Sequence, residues 1–273
     1  MKIAIFTRNE LRHRFVKVAL SNFKHVNTLF TLVEKNNIKD NYKFLPKTKD
    51  KIFFKKHFNK RNKTERKFFS DNLKKIGDNS NSLKVDSNQI NDLNFHKKIA
   101  KDKPDYIFTF GCSIIDEKII KFYNNKIINF HLGLSPYFRG SGTNFWPLVL
   151  NKPEYVGVTI MYMNEGIDKG KIIHQIRPKI LRGDSPHDIG CRVILDMANI
   201  FLPLINNISK LKAQKPKKIK NEYYFKRKDN NIESLKKLYS NFKNNLLLRY
   251  LSNKQSLDKK VQIVENNILK DLY

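Results

Sequence analysis

Cysteine is scarce in this chain of 273 residues, which contains only Cys112 and Cys191. Two cysteines are too few for a disulfide framework or for a zinc site built from paired thiolates. We therefore expect no metal of that kind. The low cysteine content also fits a reducing compartment, which predicts a cytoplasmic protein.

Long apolar runs are absent as well. The N-terminal "MKIAIFT" is followed at once by charged residues, and no apolar run approaches the length of a membrane span. A spanning helix needs about 20 apolar residues in succession. The sequence therefore predicts neither a membrane anchor nor a signal peptide, and no membrane partner.

Acidic residues are few: 25 Asp and Glu stand against 54 Lys and Arg, a net charge of +29. Such a charge attracts nucleic acid, anionic membrane or a phosphorylated substrate. The lysines are spread along the whole chain, however, and this distribution is also typical of a surface solubilised by lysine. Charge alone leaves both interpretations open.

Apolar residues make up 40% of the chain, enough for a core, and they occur in short runs. "KIAIFT", "VNTLFTLVE", "YIFTF" and "KIINFH" read as buried parallel strands, and "ELRHRFVKVALSNF" and "DEKIIKFYNN" as helices. "YVGVTIMYM" and "IIHQIRPKI" read as two further strands, and "PHDIGCRVILDMANIFLPLI" as a helix that starts after Ser185. This alternation predicts an α/β fold with a Rossmann-like, mostly parallel sheet flanked by helices.

Two regions depart from this pattern. Residues 36–84 lose the periodicity and read as a helical insertion or surface excursion, with "ERKFFSDNLKKI" as its main helix. The basic stretch "SKLKAQKPKKIK" divides a catalytic domain, residues 1–210, from a mainly helical accessory segment, residues 211–273. The apolar stripe in "IESLKKLYSNFKNNLLLRYL" must pack on something, and a homodimer is one option.

Asn129 and His131 end the apolar run "KIINFH". Alternation along a strand places them on one face, about 6.5 to 7 Å apart. An asparagine amide stabilises an oxyanion without titrating, and an imidazole moves protons near neutral pH. Asp168, in the turn "NEGIDKGK", supplies a carboxylate that can orient His131 and stabilise its imidazolium form. Together the three predict attack of an amine on an activated one-carbon acyl group.

The glycine-rich "RGSGTN" is the competing signature. Phosphate-cradling loops follow a strand directly, whereas this run lies beyond "SPYF". A tight turn that delivers the helix "NFWPLVL", capped by Thr143, is therefore the favoured interpretation.

Two segments, "INFHLGLSPYFRGSG" and "VGVTIMYMNEGIDKGKII", resemble the signatures of the 10-formyltetrahydrofolate-dependent formyltransferase family, and the resemblance extends over roughly residues 1–205. It implies a one-carbon transferase that moves a formyl group from 10-formyltetrahydrofolate to a primary amine without a metal. Asn129 and His131 would polarise the formyl carbonyl, and Asp168 would pair with His131 and help to move the amine proton.

The same resemblance implies a pterin site, made by the backbone of Phe110, Gly111, Cys112, Ser113, Ile114, Asn164, Glu165, Gly166 and Ile167. On the acceptor side, the loop after the catalytic strand and a cation after the first strand are candidates for substrate binding: Arg8, Arg139, Gly140, Ser141, Gly142, Thr143 and Trp146. Arg8 can equally face solvent.

The acceptor is less clear from the sequence. Glycinamide ribonucleotide formyltransferases have a glycine-rich loop after the first strand, where this chain has "TRNELRHRF". Methionyl-tRNA formyltransferases have "SLLP", an "RGAAP"-like continuation and a β-rich C-terminal domain, where this chain has "GLSP", "RGSGTNFW" and a helical end. An amino sugar linked to a nucleotide is therefore the favoured acceptor, as used in cell-surface glycan synthesis, with tRNA less favoured.

Three further interpretations stay open. "NEYYFKRKD" can hold a nucleotide base or diphosphate, or can be an edge strand with a lysine-rich face. The site can act as a hydrolase, with water as the acceptor. The chain can also be a basic RNA-binding protein with a degenerate core, although the presence of Asn129, His131 and Asp168 argues against that.

Overall fold

A computed structural model describes residues 1–35, 48–270 and 272–273. The strands are β1 (Lys2–Thr7), β2 (Asn27–Glu34), β3 (Ser82–Val85), β4 (Tyr106–Phe110), β5 (Ile127–His131), β6 (Phe138–Gly140), β7 (Val158–Tyr162), β8 (Ile172–Ile176) and β9 (Tyr223–Phe225). The helices are α1 (Leu11–Ser21), α2 (Thr48–Lys75), α3 (Leu93–Ile99), α4 (Glu117–Phe122), α5 (Trp146–Val149), α6 (Pro186–Asn199), α7 (Phe201–Asn207), α8 (Ile232–Lys243), α9 (Leu246–Ser252) and α10 (Lys254–Lys260).

Seven strands form the main sheet, in the order β3-β2-β1-β4-β5-β7-β8. The first five run parallel, and β7 and β8 are antiparallel additions at one side. The predicted Rossmann-like, mostly parallel sheet is thus confirmed. Its geometry brings the carboxyl ends of β1, β2, β4 and β5 to one edge, where ligands bind in folds of this kind.

Both faces of the sheet are covered, which explains the continuous apolar runs in its strands. One face packs under α1, α6 and α7 through residues such as Ile5, Phe108 and Phe130. The opposite face packs under α3 and α4 through Phe6 and Ile107. Each such side chain contributes roughly 1.5 to 3 kcal/mol when it is fully buried.

Helix α6 begins as the sequence predicts. The Ser185 hydroxyl accepts a hydrogen bond from the Asp188 amide, and the Asp188 carboxylate accepts one from the Ser185 amide. Pro186 occupies the first turn. The prediction of one helix through residue 205 is wrong, since α6 ends at Asn199. Pro203 explains the break, because its ring clashes with the carbonyl four residues earlier in a continuous helix.

Part of the predicted insertion is a long helix. Helix α2 covers 28 residues and contains most of the predicted "ERKFFSDNLKKI", but it starts much earlier, at Thr48. Residues 36–47 lie outside the described residues. The short strand β3 was not predicted, because three of its four residues are exposed and give no hydrophobic pattern.

The C-terminal region packs on the rest of the same chain. Leu235, Leu238 and Tyr250 form a third hydrophobic cluster with Trp146 and Phe54. The apolar stripe predicted in α8 and α9 is therefore covered within the chain. Across the described part of the chain, no helix is long and apolar enough to cross a membrane.

In the predicted mainly helical segment, residues 211–273, the last described helix ends at Lys260. Beyond it, the backbone lies along β8. The Gln175 amide donates to the Val264 carbonyl at 2.7 Å, and the Asn266 amide donates to His174 Nδ1 at 3.0 Å. These bonds to a sheet edge replace the bonds that a helix would make.

Candidate active site

The sheet brings polar side chains together at the end of β5. Asn129 pairs in register with Thr109 of β4 on one side and with Met161 of β7 on the other. His131 lies opposite Thr159. Because Asn129 and His131 are two positions apart on one strand, their side chains leave the same face.

Asp168 reaches these side chains from the loop between β7 and β8. Its Oδ1 atom lies 3.3 Å from Nδ1 of His131 and 3.4 Å from Nδ2 of Asn129. Its backbone is left-handed, with φ of 52°. The structure thus brings together all three predicted catalytic residues around one carboxylate oxygen.

His131 is buried, with 7% of its surface exposed. Its Nε2 atom lies 3.2 Å from the Phe138 carbonyl oxygen, while its Nδ1 atom faces Asp168. In the imidazolium form both ring nitrogens are donors, and each has an acceptor here. The ring is therefore held in one orientation with a carboxylate beside it.

Thr109 sets the orientation of the Asn129 amide. The Thr109 hydroxyl donates to Oδ1 of Asn129 at 3.0 Å, so Nδ2 points to Asp168 and to the open edge of the sheet. The N–H donors of this amide therefore lie on the side of Asp168. Thr109 was not predicted from the sequence as a site residue. The one feature that could have indicated it is its hydroxyl group in the otherwise apolar strand "YIFTF".

The glycine run also serves the site, although not as a phosphate cradle. The Gly140 amide donates to Oδ2 of Asp168 at 2.8 Å. Gly140 has φ of 90°, and a Cβ atom there would lie 2.2 Å from the Phe225 carbonyl oxygen. Only glycine fits both the conformation and the close approach.

Thr143 does not cap the following helix as predicted. Its hydroxyl donates to the Leu132 carbonyl, and α5 begins later, at Trp146, with Phe145 as an N-cap that makes no side-chain bond. The indole of Trp146 stacks on Phe225, with ring centroids 4.0 Å apart. The predicted acceptor-side residues 139–146 thus lie beside Asp168 and against β9.

The predicted pterin-binding backbone follows β4 at the same edge. Phe110 is buried, Gly111 has φ of 68°, and Ile114 is 64% exposed. The Ser113 amide and hydroxyl both donate to Glu34, a buried carboxylate at the end of β2. Arg8, a predicted substrate-binding residue, forms an ion pair with Glu34 at 3.3 Å.

The other predicted pterin segment, residues 164–167, forms the turn that leads to Asp168. Asn164 closes it, because its Oδ1 accepts from the Gly166 amide at 3.2 Å and its Nδ2 donates to the Lys169 carbonyl at 3.3 Å. Arg139 donates to the Ile167 carbonyl at 3.1 Å. Both predicted pterin segments therefore flank the predicted catalytic side chains.

The buried ring of His13 packs against Gly111. Nδ1 of His13 lies 2.6 Å from Glu10, and burial lowers the pKa of His13 to about 4. Although burial opposes it, the contact with His13 holds the pKa of Glu10 below its usual range. A Cβ atom on Gly111 would lie 2.3 Å from Nε2 of His13.

Two acidic residues at the site were missed from sequence. Glu34 ends the apolar run "VNTLFTLVE". A carboxylate at the end of a buried strand could have indicated a site residue. Glu222 pairs with Arg139 at 2.6 Å from far along the chain, and no local pattern indicates that contact. No group of three or more His, Cys, Asp or Glu side chains in the ranges 1–35 and 48–270 is placed to hold a metal ion.

The family model for formyl transferases matches residues 1–204. That match covers all the strands and helices that carry the site, except β9. The chain belongs to the formyl transferase family.

Among curated relatives, the methionyl-tRNA formyltransferase of Buchnera aphidicola from Acyrthosiphon pisum is 27% identical over 152 residues, which are 55% of this chain and 45% of that protein. The chain therefore spans about half the length of this relative.

Solved structures share the fold. The N-formyltransferase from Helicobacter canadensis, crystallised with folinic acid and dTDP-3-aminofucose, has a TM-score of 0.52 at 19% identity and covers 85% of this chain and 72% of its own. The phosphoribosylglycinamide formyltransferase from Anaplasma phagocytophilum has a TM-score of 0.54 at 15% identity and covers 83% of this chain and 98% of its own.

Proposed function

We propose that the protein transfers a formyl group from 10-formyltetrahydrofolate to a primary amine. The observation that carries the proposal is the convergence of Asn129 and His131 on Asp168, at 3.4 and 3.3 Å. An amide donor, an imidazole and a carboxylate in one cluster are what acyl transfer to an amine requires. Membership of the formyl transferase family supports the same conclusion.

Asn129, His131 and Asp168 have separate roles in the proposed transfer. Nδ2 of Asn129 donates to the formyl oxygen as negative charge develops on it, and the Nε2–H of His131 shifts its hydrogen bond from the Phe138 carbonyl to the same oxygen. Asp168 accepts the proton that the attacking amine loses, directly or through a water molecule. A new carbon–nitrogen bond to the amine forms, the bond from the formyl carbon to N10 breaks, and N10 receives a proton, so that the products are an N-formyl amine and tetrahydrofolate.

The described edge of the sheet fits a flat, partly apolar co-substrate. Ile114 is 64% exposed at this edge, and Gly111 is an exposed residue without a side chain. Residues 110–114 and 164–167 would hold the pterin, and the folate supplies an activated formyl group when it binds.

An amino sugar linked to a nucleotide is our proposed acceptor. The loop 139–146 and the rings of β9 lie on the acceptor side, where Trp146 and Phe225 already stack on each other. Lys226, Arg227 and Lys228 follow β9 directly and supply positive charge for a diphosphate. The fold itself accommodates such a ligand, as the Helicobacter canadensis structure with dTDP-3-aminofucose illustrates.

Release of tetrahydrofolate tests the proposal. Purified protein is incubated with 10-formyltetrahydrofolate and, separately, a panel of nucleotide-linked amino sugars, glycinamide ribonucleotide, methionyl-tRNA or buffer alone. We expect release only with an amino-sugar nucleotide. Release with methionyl-tRNA or glycinamide ribonucleotide would correct the acceptor, and equal release in buffer would show a hydrolase.

Folate binding has a separate test that needs no acceptor. We expect 10-formyltetrahydrofolate to raise the melting temperature and to slow amide hydrogen exchange in residues 108–115. If neither changes, the proposed folate site is wrong.

A further inference from the structure

A strand from outside the family match borders the active site. The formyl transferase match ends at residue 204, yet β9, at residues 223–225, pairs in parallel with β6 directly after the catalytic strand. The Tyr223 amide donates to the Tyr137 carbonyl at 2.9 Å, and the Ser141 amide donates to the Phe225 carbonyl at 2.8 Å. Two backbone bonds thus attach the C-terminal segment to the loop that carries Gly140.

A side-chain contact reinforces this attachment. Nη2 of Arg139 lies 2.6 Å from Oε2 of Glu222, and Nη1 of Arg139 donates to the Ile167 carbonyl at 3.1 Å. Only 12% of the Arg139 side chain is exposed, against 35% for Glu222. The guanidinium therefore joins Glu222 to the residue immediately before Asp168, and it is not free to bind a substrate anion in this conformation.

The backbone conformation of Asp168 has to be stabilised by contacts with other residues. Its φ of 52° is a left-handed conformation that a residue other than glycine adopts at a free-energy cost of roughly 1 kcal/mol or more. Two groups of the β6 segment hold it: the Gly140 amide donates to its Oδ2 atom, and Arg139 fixes the carbonyl of Ile167. Both groups are adjacent in sequence and both are backed by β9.

We propose that Glu222 is a positioning residue which, through Arg139, holds Asp168 against His131, so that the C-terminal segment completes the catalytic site. This proposal rests on the proposed formyl transfer. It assigns to residues 222–225 a role in catalysis, although none of them contacts Asn129, His131 or Asp168 through a described hydrogen bond or ion pair.

Glu222→Gln tests the proposal, because it removes the charge and keeps the size of the side chain. The matched control is Glu233→Gln, which removes a carboxylate that is 76% exposed and that pairs with Lys236 within one helix. We expect Glu222→Gln to lower kcat for formyl transfer roughly 10- to 100-fold, as small displacements of a catalytic group do. The KM for 10-formyltetrahydrofolate should change less than about twofold, and Glu222→Asp should recover part of kcat.

Hydrogen exchange gives a second readout that does not depend on activity. We expect faster exchange of the Gly140 amide and of residues 164–170 in Glu222→Gln than in Glu233→Gln, with unchanged exchange in the strands of the main sheet. Unchanged kcat in Glu222→Gln, or a lower melting temperature with unchanged kcat, would overturn the proposal. If the wild-type protein transfers no formyl group, formyl transfer itself fails, and unaltered Gly140 exchange in Glu222→Gln would separately show that Glu222 does not hold the loop.

Discussion

Nδ1 of His131 and Oδ1 of Asp168 lie 3.3 Å apart, both largely buried, although they come from a strand end and from a later loop. The carboxylate is held on its other oxygen by the Gly140 amide at 2.8 Å. Because each partner has a second, fixed contact, the pair is preorganised before any substrate arrives. Preorganised charge is the largest contribution to many enzymatic rates.

Removal of this charge should therefore stop catalysis and leave the fold intact. Asp168→Asn keeps the acceptor for Gly140 but loses the proton acceptor, and we expect kcat to fall roughly 100- to 1000-fold. His131→Ala should abolish transfer with folate affinity retained. The measurement is tetrahydrofolate release, with Asp71→Asn as the control, since that carboxylate is 83% exposed on α2. Near-wild-type turnover in either site variant would refute the mechanism.

Thr109 should matter through Asn129 alone. Thr109→Val keeps the shape of the side chain but removes the hydrogen bond to Oδ1 of Asn129, so the amide can rotate and present its oxygen to the substrate. We expect kcat to fall about 10-fold, in line with one lost orienting hydrogen bond. In an Asn129→Ala background the same change should have little further effect. Equal effects in both backgrounds would show that Thr109 acts elsewhere.

The sequence predicts the sheet, and the three side chains that the structure brings together at its edge, for a physical reason. Buried parallel strands need apolar residues on both faces, so β1, β4 and β5 stand out from their surroundings. Polar residues at the ends of such strands are equally visible, which is why Asn129 and His131 could be singled out. Asp168 followed from the glycine-bracketed turn between two more strands.

The supporting contacts could not be predicted in the same way. Glu222 meets Arg139 only because β9 folds back beside β6, and neither three-residue strand has a hydrophobic period of its own. Thr143 was expected to cap a helix because of its residue type. In the fold its hydroxyl donates to the Leu132 carbonyl, and α5 begins three residues later, at Trp146. Contacts between distant segments decide these details.

Acid should destabilise the protein through buried histidines. Burial, together with the nearby charge of Arg61, lowers the pKa of His187 to about 4, and its Nε2 atom has no hydrogen-bond partner among the described residues. In the unfolded chain this imidazole takes up a proton as the pH falls below about 6.5, whereas in the folded chain it stays neutral. The contribution of His187 to the free energy of unfolding should thus fall between pH 6.5 and pH 4 and then level off.

His187→Phe measures this contribution. Urea unfolding of the variant should show a shallower loss of stability between pH 6.5 and pH 4, by up to about 3 kcal/mol relative to the wild type. His57 packs on His187, with ring centroids 4.6 Å apart, and burial lowers its pKa to about 3, so part of the loss will remain. His25→Gln, at an exposed position, is the control. Identical pH profiles in all three proteins would contradict the assignment.

Gly111 should tolerate no side chain, for two separable reasons. Its φ of 68° disfavours any other residue, and a Cβ atom would lie 2.3 Å from Nε2 of His13. Backbone strain and overpacking each contribute roughly 1 to 3 kcal/mol, so Gly111→Ala should lower the free energy of unfolding by several kcal/mol. The loop that follows should move as well, and 10-formyltetrahydrofolate should bind more weakly because its proposed site lies in residues 110–114.

A double-mutant cycle separates the two reasons. In a His13→Ala background the clash is gone and only the backbone strain remains, so Gly111→Ala should cost about 1 to 3 kcal/mol less there than in the wild type. Chemical denaturation of the four proteins gives the coupling energy. A coupling near zero would mean that His13 moves aside without cost, and the close packing of His13 under Gly111 would then not be what keeps glycine at this position.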